Sequence, residues 1–475
     1  MMNRSNCTEK KRISVPRVMI AAAGSGSGKT LFTCGLLKLL ADRGLQTSSF
    51  KCGPDYIDPM FHRQIPGNKS RNLDPFFASE RDLNRLVSAA EGHYAVIEGV
   101  MGLYDGADVR SLKGSSYETA CMTKTPVILI VDAAGLGKTV ISVIKGILLD
   151  DVSRMIKGVI LNRMSPGFFA GLKRVLEEEI KAAGFDTAVL GCLPKDASVV
   201  LESRHLGLKL PHETEDIRKR IEKMAGLIET HTDAEEIQKI MERAPAIETE
   251  APCPPVNMPG GSDGKEIVLA VAFDEAFCFY YTENLEMLER RGVKIRYFSP
   301  VHDQRIPEDA SGLLLGGGYP ELYLKELSQN RSMLDSVREA IRRGIPSLAE
   351  CGGFMYLHSA IVNEAGERFE MAGAVDGICT YAGKLVRFGY LEIEKQNVPG
   401  EDSFYANAVG LKGHEFHYYE SSVCGDAYTA KKPYRDVKWN CIVADHNGLW
   451  GFPHFYYPSN PSFADSFVEK MKKYR

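Results

Sequence analysis

The sequence predicts an α/β protein that consists of two doubly wound domains. In both halves of the chain, continuous apolar and β-branched runs alternate with helix-like patterns, as expected for parallel sheets covered on both faces. The chain has 475 residues, more than one hydrophobic core usually serves. A stretch rich in Pro and Gly, residues 244–264, divides the two halves and has the composition of a linker.

These observations define four segments. We expect a loose N-terminal tail over residues 1–15, a first domain over residues 16–243, the linker over residues 244–264 and a second domain over residues 265–475. The tail is polar and basic with no apolar run behind it, which argues against a signal peptide.

Composition excludes several classes of protein. No sustained basic patch is present and the net charge is −4, so we expect no nucleic-acid partner. No apolar run approaches the ~18 residues of a membrane span, so we expect no membrane partner. The eleven cysteines include no Cys-x-x-Cys pair, which favours a cytoplasmic protein with packed thiols over a zinc site or a disulfide framework.

The first domain opens with a buried strand that runs into residues 24–30 (GSGSGKT) and then into a helix-like pattern. Strand, glycine-rich loop, Lys-Thr and helix together are the context of a phosphate-binding P-loop. The generic pattern has glycine where this chain has Ala23, and the neighbouring glycines supply the flexibility instead. Loop N–H groups would face the phosphates, the lysine would reach the β and γ oxygens, and the threonine hydroxyl would hold Mg²⁺. The ATP-binding residues predicted here are Gly24, Gly26, Ser27, Gly28, Lys29 and Thr30.

Polar residues also follow the later strands of this predicted sheet. Glu98 ends a buried strand as a Mg²⁺-holding acid does, although a strand-end carboxylate can also cap a turn. Asp55 and Asp58 lie in a Pro-bounded loop, where they can meet a metal or simply shape the turn. Asp105 has the same two interpretations, and Asn162 could bind a base edge or cap a turn.

A second Gly-Lys-Thr stretch, residues 135–139 (GLGKT), imitates the P-loop. The position of the first pattern glycine is Asp132, and no other glycine closely precedes the stretch. We therefore assign it to an ordinary turn between a strand and a helix.

The second domain carries a candidate nucleophile, Cys351. Residues 344–355 predict a short strand, a sharp turn at the cysteine and a helix, with small neighbours that a strained elbow requires. The helix N-terminus should favour the thiolate. The N–H groups of Gly318, in a preceding glycine turn, and Gly352 could form an oxyanion hole. Spacing alone leaves three histidines open as the base: His414, His417 and His454.

The ordered motifs resemble the cobyrinate a,c-diamide synthase family along nearly the whole chain. They are residues 24–30 (GSGSGKT), 50–58 (FKCGPDYID), 70–74 (SRNLD), 98–106 (EGVMGLYDG), 204–208 (RHLGL), 274–281 (DEAFCFYY), 315–321 (LGGGYPE), 349–353 (AECGG) and 413–417 (GHEFH). The resemblance implies an ATP-dependent ligase that takes ammonia from glutamine and amidates two carboxylates of a corrinoid through acyl phosphates. It also implies a class I glutaminase-like second domain.

The resemblance assigns further roles. The first half is also similar to dethiobiotin synthetase, whose metal-binding acid falls on Glu98 and whose adenine-binding asparagine falls on Asn162. Mg²⁺ would be held by Thr30, Asp55 and Glu98. Lys51 would contact ATP, and the expected substrate contacts are Tyr56, Ile57, Asp58 and Asp105.

In the family the glutaminase histidine lies near the C-terminus, which selects His454 to act with Cys351. Relatives of this glutaminase carry a glutamate two residues after that histidine, where this chain has Tyr456. The resemblance therefore implies a Cys–His pair without its usual orienting acid.

Three alternatives stay open at this point. The closest is a sibling enzyme that amidates another tetrapyrrole, nickel sirohydrochlorin, and a more distant one is cobyric acid synthase. From another class, the chain could be a nucleotide-switched binding protein with an inactive glutaminase domain, although the intact Cys351 elbow counts against this. A homodimer is compatible with each of them.

Overall fold

A computed structural model describes residues 10–204, 207–250, 266–397, 407–445 and 447–474. The N-terminal part of the predicted tail, most of the predicted linker and two residues of the motif at 204–208 lie outside these ranges. The chain divides into two compact units, residues 1–252 and 253–475. Within the described residues, no helix is both long enough and apolar enough to cross a membrane.

Unit 1 is organised around one seven-stranded sheet, and every neighbouring pair of its strands is parallel. The strands of this unit are β1 Lys10–Ile13, β2 Arg17–Ala22, β3 Thr47–Cys52, β4 Lys69–Leu73, β5 Tyr94–Glu98, β6 Val127–Asp132, β7 Ile156–Asn162, β8 Ala188–Leu193, β9 Ser203–Arg204, β10 Gly207–Leu208 and β11 Ile247–Glu250. The order in the sheet is β4-β3-β5-β2-β6-β7-β8. Strand order reverses about β2, so the carboxyl end of β2 is where a ligand is expected in such a sheet.

Eight helices accompany the strands in the described part of unit 1. They are α1 Lys29–Asp42, α2 Ile57–His62, α3 Glu80–Ser88, α4 Ser116–Met122, α5 Thr139–Leu149, α6 Pro166–Ala182, α7 Ile217–His231 and α8 Ala234–Glu242. The central strands β2 and β6 are buried almost throughout, which explains why both appear in the sequence as unbroken apolar runs. The predicted turn at residues 135–139 lies between β6 and α5.

The predicted tail and linker need a partial correction. Residues 10–13 and 247–250 are not loose chain, because β1 and β11 pair as an antiparallel ribbon. The buried Arg17 fixes this region further: its guanidinium donates hydrogen bonds to the carbonyls of Val15, Thr123 and Pro245. Sequence composition missed the ribbon because four-residue strands flanked by Pro carry little periodic signal.

Unit 2 contains a six-stranded sheet of order β14-β12-β15-β17-β27-β26, parallel except for the edge strand β26. The strands of this unit are β12 Ile267–Ala272, β13 Phe277–Phe279, β14 Val293–Phe298, β15 Gly312–Leu315, β16 Gly317–Gly318, β17 Ser347–Glu350, β18 His358–Val362, β19 Arg368–Glu370, β20 Val375–Tyr381, β21 Arg387–Gln396, β22 Lys412–His417, β23 Tyr419–Ser421, β24 Tyr428–Lys431, β25 Lys438–Cys441, β26 Val443–Asp445, β27 Gly448–Gly451 and β28 His454–Tyr456. Its helices are α9 Thr282–Glu289, α10 Leu324–Gln329, α11 Arg331–Arg342, α12 Gly352–Leu357 and α13 Pro461–Tyr474.

The two parallel sheets confirm the predicted fold class, and unit 2 adds features that the sequence did not predict. An antiparallel five-stranded sheet has the order β25-β24-β21-β22-β28, and a mixed four-stranded sheet has the order β19-β18-β20-β23. The chain passes from β27 of the main sheet directly into β28 of the five-stranded sheet, across Phe452 and Pro453. This crossing places the predicted catalytic histidine in a different sheet from the predicted nucleophile.

Candidate active sites

The phosphate-loop site begins where β2 ends. Helix α1 starts at Lys29, directly after Gly28, whose backbone is left-handed with φ 91°. A side chain at Gly28 would also place its Cβ 2.7 Å from Asn162 Nδ2, so only glycine fits. No side chain of the described residues caps this helix and its first turn holds no acid, which suits a helix N-terminus that binds anions.

Lys29 lies across the loop in this structure. Its ammonium donates to the carbonyls of Gly24, at 3.0 Å, and Met101, at 2.7 Å. Burial lowers the pKa of Lys29 to about 8, and the charge of nearby Lys51 acts in the same direction. If a phosphate oxygen replaced these carbonyls, its negative charge would stabilise the charged form of Lys29 and raise the pKa again.

Four buried or half-buried side chains meet beside the start of α1. The Thr30 hydroxyl donates to Glu98 Oε1 at 2.7 Å and lies 3.3 Å from Asp58 Oδ1. The Lys51 ammonium contacts Asp58 Oδ2 at 2.5 Å and Glu98 Oε1 at 3.1 Å. Strands β3 and β5 are neighbours with Lys51 in register with Glu98, so the sheet itself sets this contact.

One member of this cluster, His62, was not predicted from the sequence. It is buried at the end of α2, with its Nε2 2.7 Å from Glu98 Oε2 and its Nδ1 3.1 Å from Ser70 Oγ. Both oxygens of Glu98 are therefore held, one by Thr30 and Lys51 and the other by His62. The available signal was weak, since a lone histidine in a short helix has many structural explanations.

The charges in this cluster stabilise one another. Burial disfavours the ionised form of Glu98, yet Lys51 and His62 hold the pKa of Glu98 well below its usual range. Burial acts against the charge of Lys51 too, but Asp58 and Glu98 raise the pKa of that ammonium above its usual value. The site thus keeps a carboxylate and an ammonium ionised in a place from which water is largely excluded.

The remaining residues predicted for this site have more local contacts. Asp55 Oδ1 accepts the N–H groups of Ile57, at 2.8 Å, and Asp58, at 3.1 Å, and so stabilises the start of α2. Asp105 Oδ2 accepts the N–H of Gly102 at 2.8 Å. Tyr56 and Ile57 are buried. The structure therefore gives Asp55 and Asp105 turn-forming contacts and leaves their predicted roles as predictions.

Asn162 supports the loop directly. Its amide donates to the carbonyl of Ser27 at 2.9 Å, which ties the end of β7 to the phosphate loop. The neighbouring strand end carries Asp132, whose carboxylate pairs with the Arg163 guanidinium. The predicted interaction of Asn162 with a base stays a prediction beside this observed contact.

The thiol site of unit 2 is built on a strained turn. Cys351 joins β17 to α12 with φ 49° and ψ −104°, and its N–H donates to the carbonyl of Gly451 at 2.8 Å. A positive φ in a non-glycine residue is uncommon and typical of a nucleophile elbow. Gly353, two residues after the cysteine, must also be glycine, because a Cβ there would lie 2.1 Å from the carbonyl oxygen of Leu315.

The predicted oxyanion-hole residues lie next to each other. A Cβ built on Gly352 would be 3.3 Å from the backbone nitrogen of Gly318, so the two peptide backbones approach closely. The N–H of Gly353 also donates to the carbonyl of Gly316 at 2.9 Å, which fixes the glycine turn against α12. Their predicted role in binding an oxyanion is compatible with this proximity.

His454 lies against the same glycine turn. A Cβ on Gly317 would approach His454 Cε1 to 2.2 Å, so the imidazole occupies the space that a side chain at 317 would need. Its ring stacks on that of His414, with centroids 4.9 Å apart and planes 16° apart. Burial, with smaller contributions from His414 and His417, keeps the pKa of His454 well below its usual value, so the ring is neutral at rest.

The other candidate histidines have structural contacts. His414 Nδ1 lies 3.1 Å from the hydroxyl of Tyr281. His417 stacks on Phe452, with centroids 3.9 Å apart, and its Nδ1 donates to the carbonyl of Tyr419 at 2.7 Å. The Tyr456 ring packs edge-on against that of Tyr281, so the position of the relatives' glutamate is filled by an aromatic contact.

One expectation about the thiol is wrong in this structure. We expected the start of α12 to favour the thiolate, but burial raises the pKa of Cys351, and the charges of Glu321 and Glu415 raise it further. The helix has only six residues, and the lowering effect of the Gly352 N–H does not offset the burial. Cys351 is therefore a thiol that needs a base to ionise it.

Two families of domains match the chain, one for each unit. Residues 18–208 match the CobQ/CobB/MinD/ParA nucleotide binding domain, and residues 268–449 match the CobB/CobQ-like glutamine amidotransferase domain. With the P-loop in the first match and the Cys351 elbow in the second, the chain is a glutamine amidotransferase with a nucleotide-binding domain.

Proteins that are similar to this chain over nearly its whole length identify the family within this class. A cobyrinate a,c-diamide synthase of Caldanaerobacter subterraneus subsp. tengcongensis is 39% identical over 92% of this chain and 94% of its own length. The cobyrinate a,c-diamide synthases of Clostridium tetani and Clostridium acetobutylicum are each 36% identical over 95% of this chain and 99% of their own length. The chain belongs to the cobyrinate a,c-diamide synthase family.

Proposed function

We propose that this chain uses ATP and glutamine to amidate the a and c side-chain carboxylates of cobyrinate or a close corrinoid. The observation that supports the proposal is that one chain holds a phosphate loop beside buried carboxylates and an ammonium, and a strained elbow at Cys351 next to a glycine turn against which His454 packs. We assign the first reaction to a domain over residues 16–243 and the second to a domain over residues 265–475.

In the first domain the chain must activate a carboxylate, which is a poor acyl donor. A carboxylate oxygen of the substrate attacks the γ-phosphorus of ATP, ADP leaves, and an acyl phosphate forms. The loop N–H groups would bind the phosphates, and Lys29 and Lys51 would offset their negative charge. Tyr56, Ile57, Asp58 and Asp105 follow β3 and β5 next to this loop, where they would contact the substrate.

The residues beside the loop suit Mg²⁺. Thr30, Asp58 and Glu98 offer hard oxygen atoms, and Asp55 is close enough to influence the pKa of Lys51. Among the described residues, no group of three or more His, Cys, Asp or Glu side chains forms a metal cage. Mg²⁺ in proteins usually takes only one or two carboxylates and completes its shell with phosphates and water. Bound there, Mg²⁺ would offset the charge on the transferred phosphate.

In the second domain His454 takes the proton of the Cys351 thiol, and the sulfur attacks the carboxamide carbon of glutamine. The N–H groups of Gly318 and Gly352 would stabilise the oxyanion. The C–N bond breaks as His454 returns the proton to the leaving ammonia, and water then hydrolyses the thioester to glutamate. The ammonia attacks the acyl phosphate, phosphate leaves, and the amide forms.

The experiment that tests this function is mass spectrometry of cobyrinate incubated with the protein, ATP, Mg²⁺ and glutamine. We expect two successive exchanges of a carboxyl oxygen for an amide nitrogen, each dependent on ATP. Nickel sirohydrochlorin incubated in parallel should stay unchanged. Amidation of the nickel compound alone would contradict the proposed substrate, and glutamine hydrolysis without amidation of either compound would contradict the proposed reaction.

A further inference from the structure

The residue before the nucleophile, Glu350, is buried at the end of β17 and belongs to no role assigned so far. Its Oε1 accepts a hydrogen bond from the hydroxyl of Tyr457 at 3.0 Å. The backbone N–H of Phe455, the residue directly after His454, is close enough to the carboxyl group to lower the pKa of Glu350. One side chain thus links the strand of the nucleophile to the strand of the base.

The peptide between His454 and Phe455 is held on its other side as well. A Cβ on Gly413 would lie 2.4 Å from the carbonyl oxygen of His454, so β22 packs directly on this peptide. From α9, Asn284 donates to the carbonyl of Phe455 at 2.7 Å and accepts the N–H of Tyr457 at 2.8 Å. Glu350 differs from Gly413 and Asn284 because it is the direct chain neighbour of the nucleophile Cys351.

We propose that Glu350 is a positioning residue that fixes His454 relative to Cys351 through the backbone of β28. This inference rests on the proposed glutaminase function and supplies what the aromatic Tyr456 cannot. In relatives with an acid two residues after the histidine, that acid can act on the imidazole itself. Here the carboxyl group lies one residue before the cysteine and acts on the peptide that carries the imidazole.

The environment of Glu350 allows this contact at little electrostatic cost. Burial raises the pKa of Glu350 to about 8, so at neutral pH the side chain is mostly uncharged and does not oppose a thiolate at Cys351. The titratable groups around it are Cys351, Tyr457 and Tyr280, and burial raises the pKa of both tyrosines well above the usual value. Above about pH 8, Glu350 should ionise and make the neighbouring thiolate harder to form.

The test compares Glu350→Gln with Glu350→Leu, and Glu420→Leu, on the exposed face of β23, is the matched control. The glutamine side chain keeps an acceptor for Tyr457 and Phe455, whereas leucine leaves both donors without it. We expect Glu350→Leu to lose about 10-fold to 100-fold in kcat for glutamine hydrolysis with a smaller change in KM, as misplacement of a reacting group does. Ammonium-driven amidation should be unchanged, and Glu350→Gln should retain most glutamine-driven turnover.

The pH profile separates positioning from simple packing. The kcat of the unsubstituted protein should fall above about pH 8, and Glu350→Gln, which cannot ionise, should extend this limb to higher pH. Equal losses in the Gln and Leu variants, or an unchanged alkaline limb in Glu350→Gln, would overturn the proposal. If the unsubstituted protein showed no ammonium-driven amidation, the proposed function would be contradicted. The comparison of glutamine hydrolysis between the Glu350 variants would still test the role of Glu350.

Discussion

The two sites differ in how they handle charge. In the phosphate-loop site, the Lys51 ammonium and the Glu98 carboxylate are buried together and keep each other ionised, whereas burial and the charges of Asp55 and Glu98 raise the pKa of Asp58. In the thiol site, the reacting groups are uncharged at rest, because burial raises the pKa of Cys351 and lowers that of His454. The difference follows from the substrates: ATP and a carboxylate bring negative charge that the first site must offset, whereas the glutamine carboxamide is neutral.

The two sites should therefore respond differently to substitutions. A site held together by opposite charges should depend steeply on each charge, since removing one leaves its partner buried and unpaired. A site held together by backbone contacts and glycine packing should depend on position, and charge should matter only when a proton moves.

The largest effect is expected for Lys29→Ala. The role proposed for Lys29 is to offset charge on the transferred phosphate, so its removal should lower amidation at least about 10²-fold with either glutamine or ammonium as nitrogen source. The measurement is product formed with each source. Lys38→Ala, in the same helix and paired with Asp42, is the control and should keep normal turnover. ATP-dependent turnover near normal in Lys29→Ala would contradict the phosphate-loop assignment.

His454→Ala should affect only one half of the reaction. Without the proposed base, glutamine-driven synthesis should fall about 10²-fold while ammonium-driven synthesis continues. His417→Ala removes a ring that packs on Phe452 and should keep the ratio of the two activities. Both activities are measured on folded protein, judged by circular dichroism. Glutamine-driven turnover that survives in His454→Ala would move the base to another histidine.

Carboxylates beside the loop should control the requirement for Mg²⁺. Glu98→Gln should raise the half-saturating Mg²⁺ concentration about 10-fold or more. The effects of Asp58→Asn and Asp55→Asn should be smaller, and for Asp55 smallest, because asparagine can still accept the N–H groups at the start of α2. A Mg²⁺ titration of each variant checks this order, with the exposed Asp42→Asn as control. If the three variants gave the same Mg²⁺ titration as the control, these acids would have only structural roles.

The smallest effect concerns pH. Lys29 loses its proton above its pKa of about 8, so the affinity for ADP should fall as pH rises from 7 to 9, by at most about 10-fold per pH unit. Lys29→Arg keeps its charge over this range and should remove the dependence. Fluorescence titration at pH 7, 8 and 9 measures it. An affinity that does not change with pH in the unsubstituted protein would mean that the phosphates bind without Lys29.

The contrast between the sites also explains what the sequence could predict. The phosphate loop is one contiguous stretch, so its strand, glycines and lysine were visible together, and Glu98 followed from the end of β5. The thiol elbow was visible for the same reason. His62 and Glu350 were not, because each acts through a contact that only the packed chain creates.

The same distinction applies to strands and sheets: some were predicted from the sequence and others were not. Buried parallel strands such as β2 and β6 are continuous apolar runs and were predicted. The five-stranded sheet was missed, since three of its strands have only three or four residues and its longest strand is interrupted by irregular register, as between Ile393 and Lys395. The short ribbon of β1 and β11 was missed because its partners lie more than 200 residues apart in sequence.

The central claim is that the two sites perform separable half-reactions, and Cys351→Ser tests it most directly. Product formed from cobyrinate and ATP is measured with glutamine, and again with a high concentration of ammonium chloride at raised pH, where free ammonia is available. We predict that the variant loses glutamine-driven synthesis and keeps the ammonium-driven rate of the unsubstituted protein. Loss of both activities in folded Cys351→Ser would contradict the claim, because the thiol would then be needed for more than the release of ammonia.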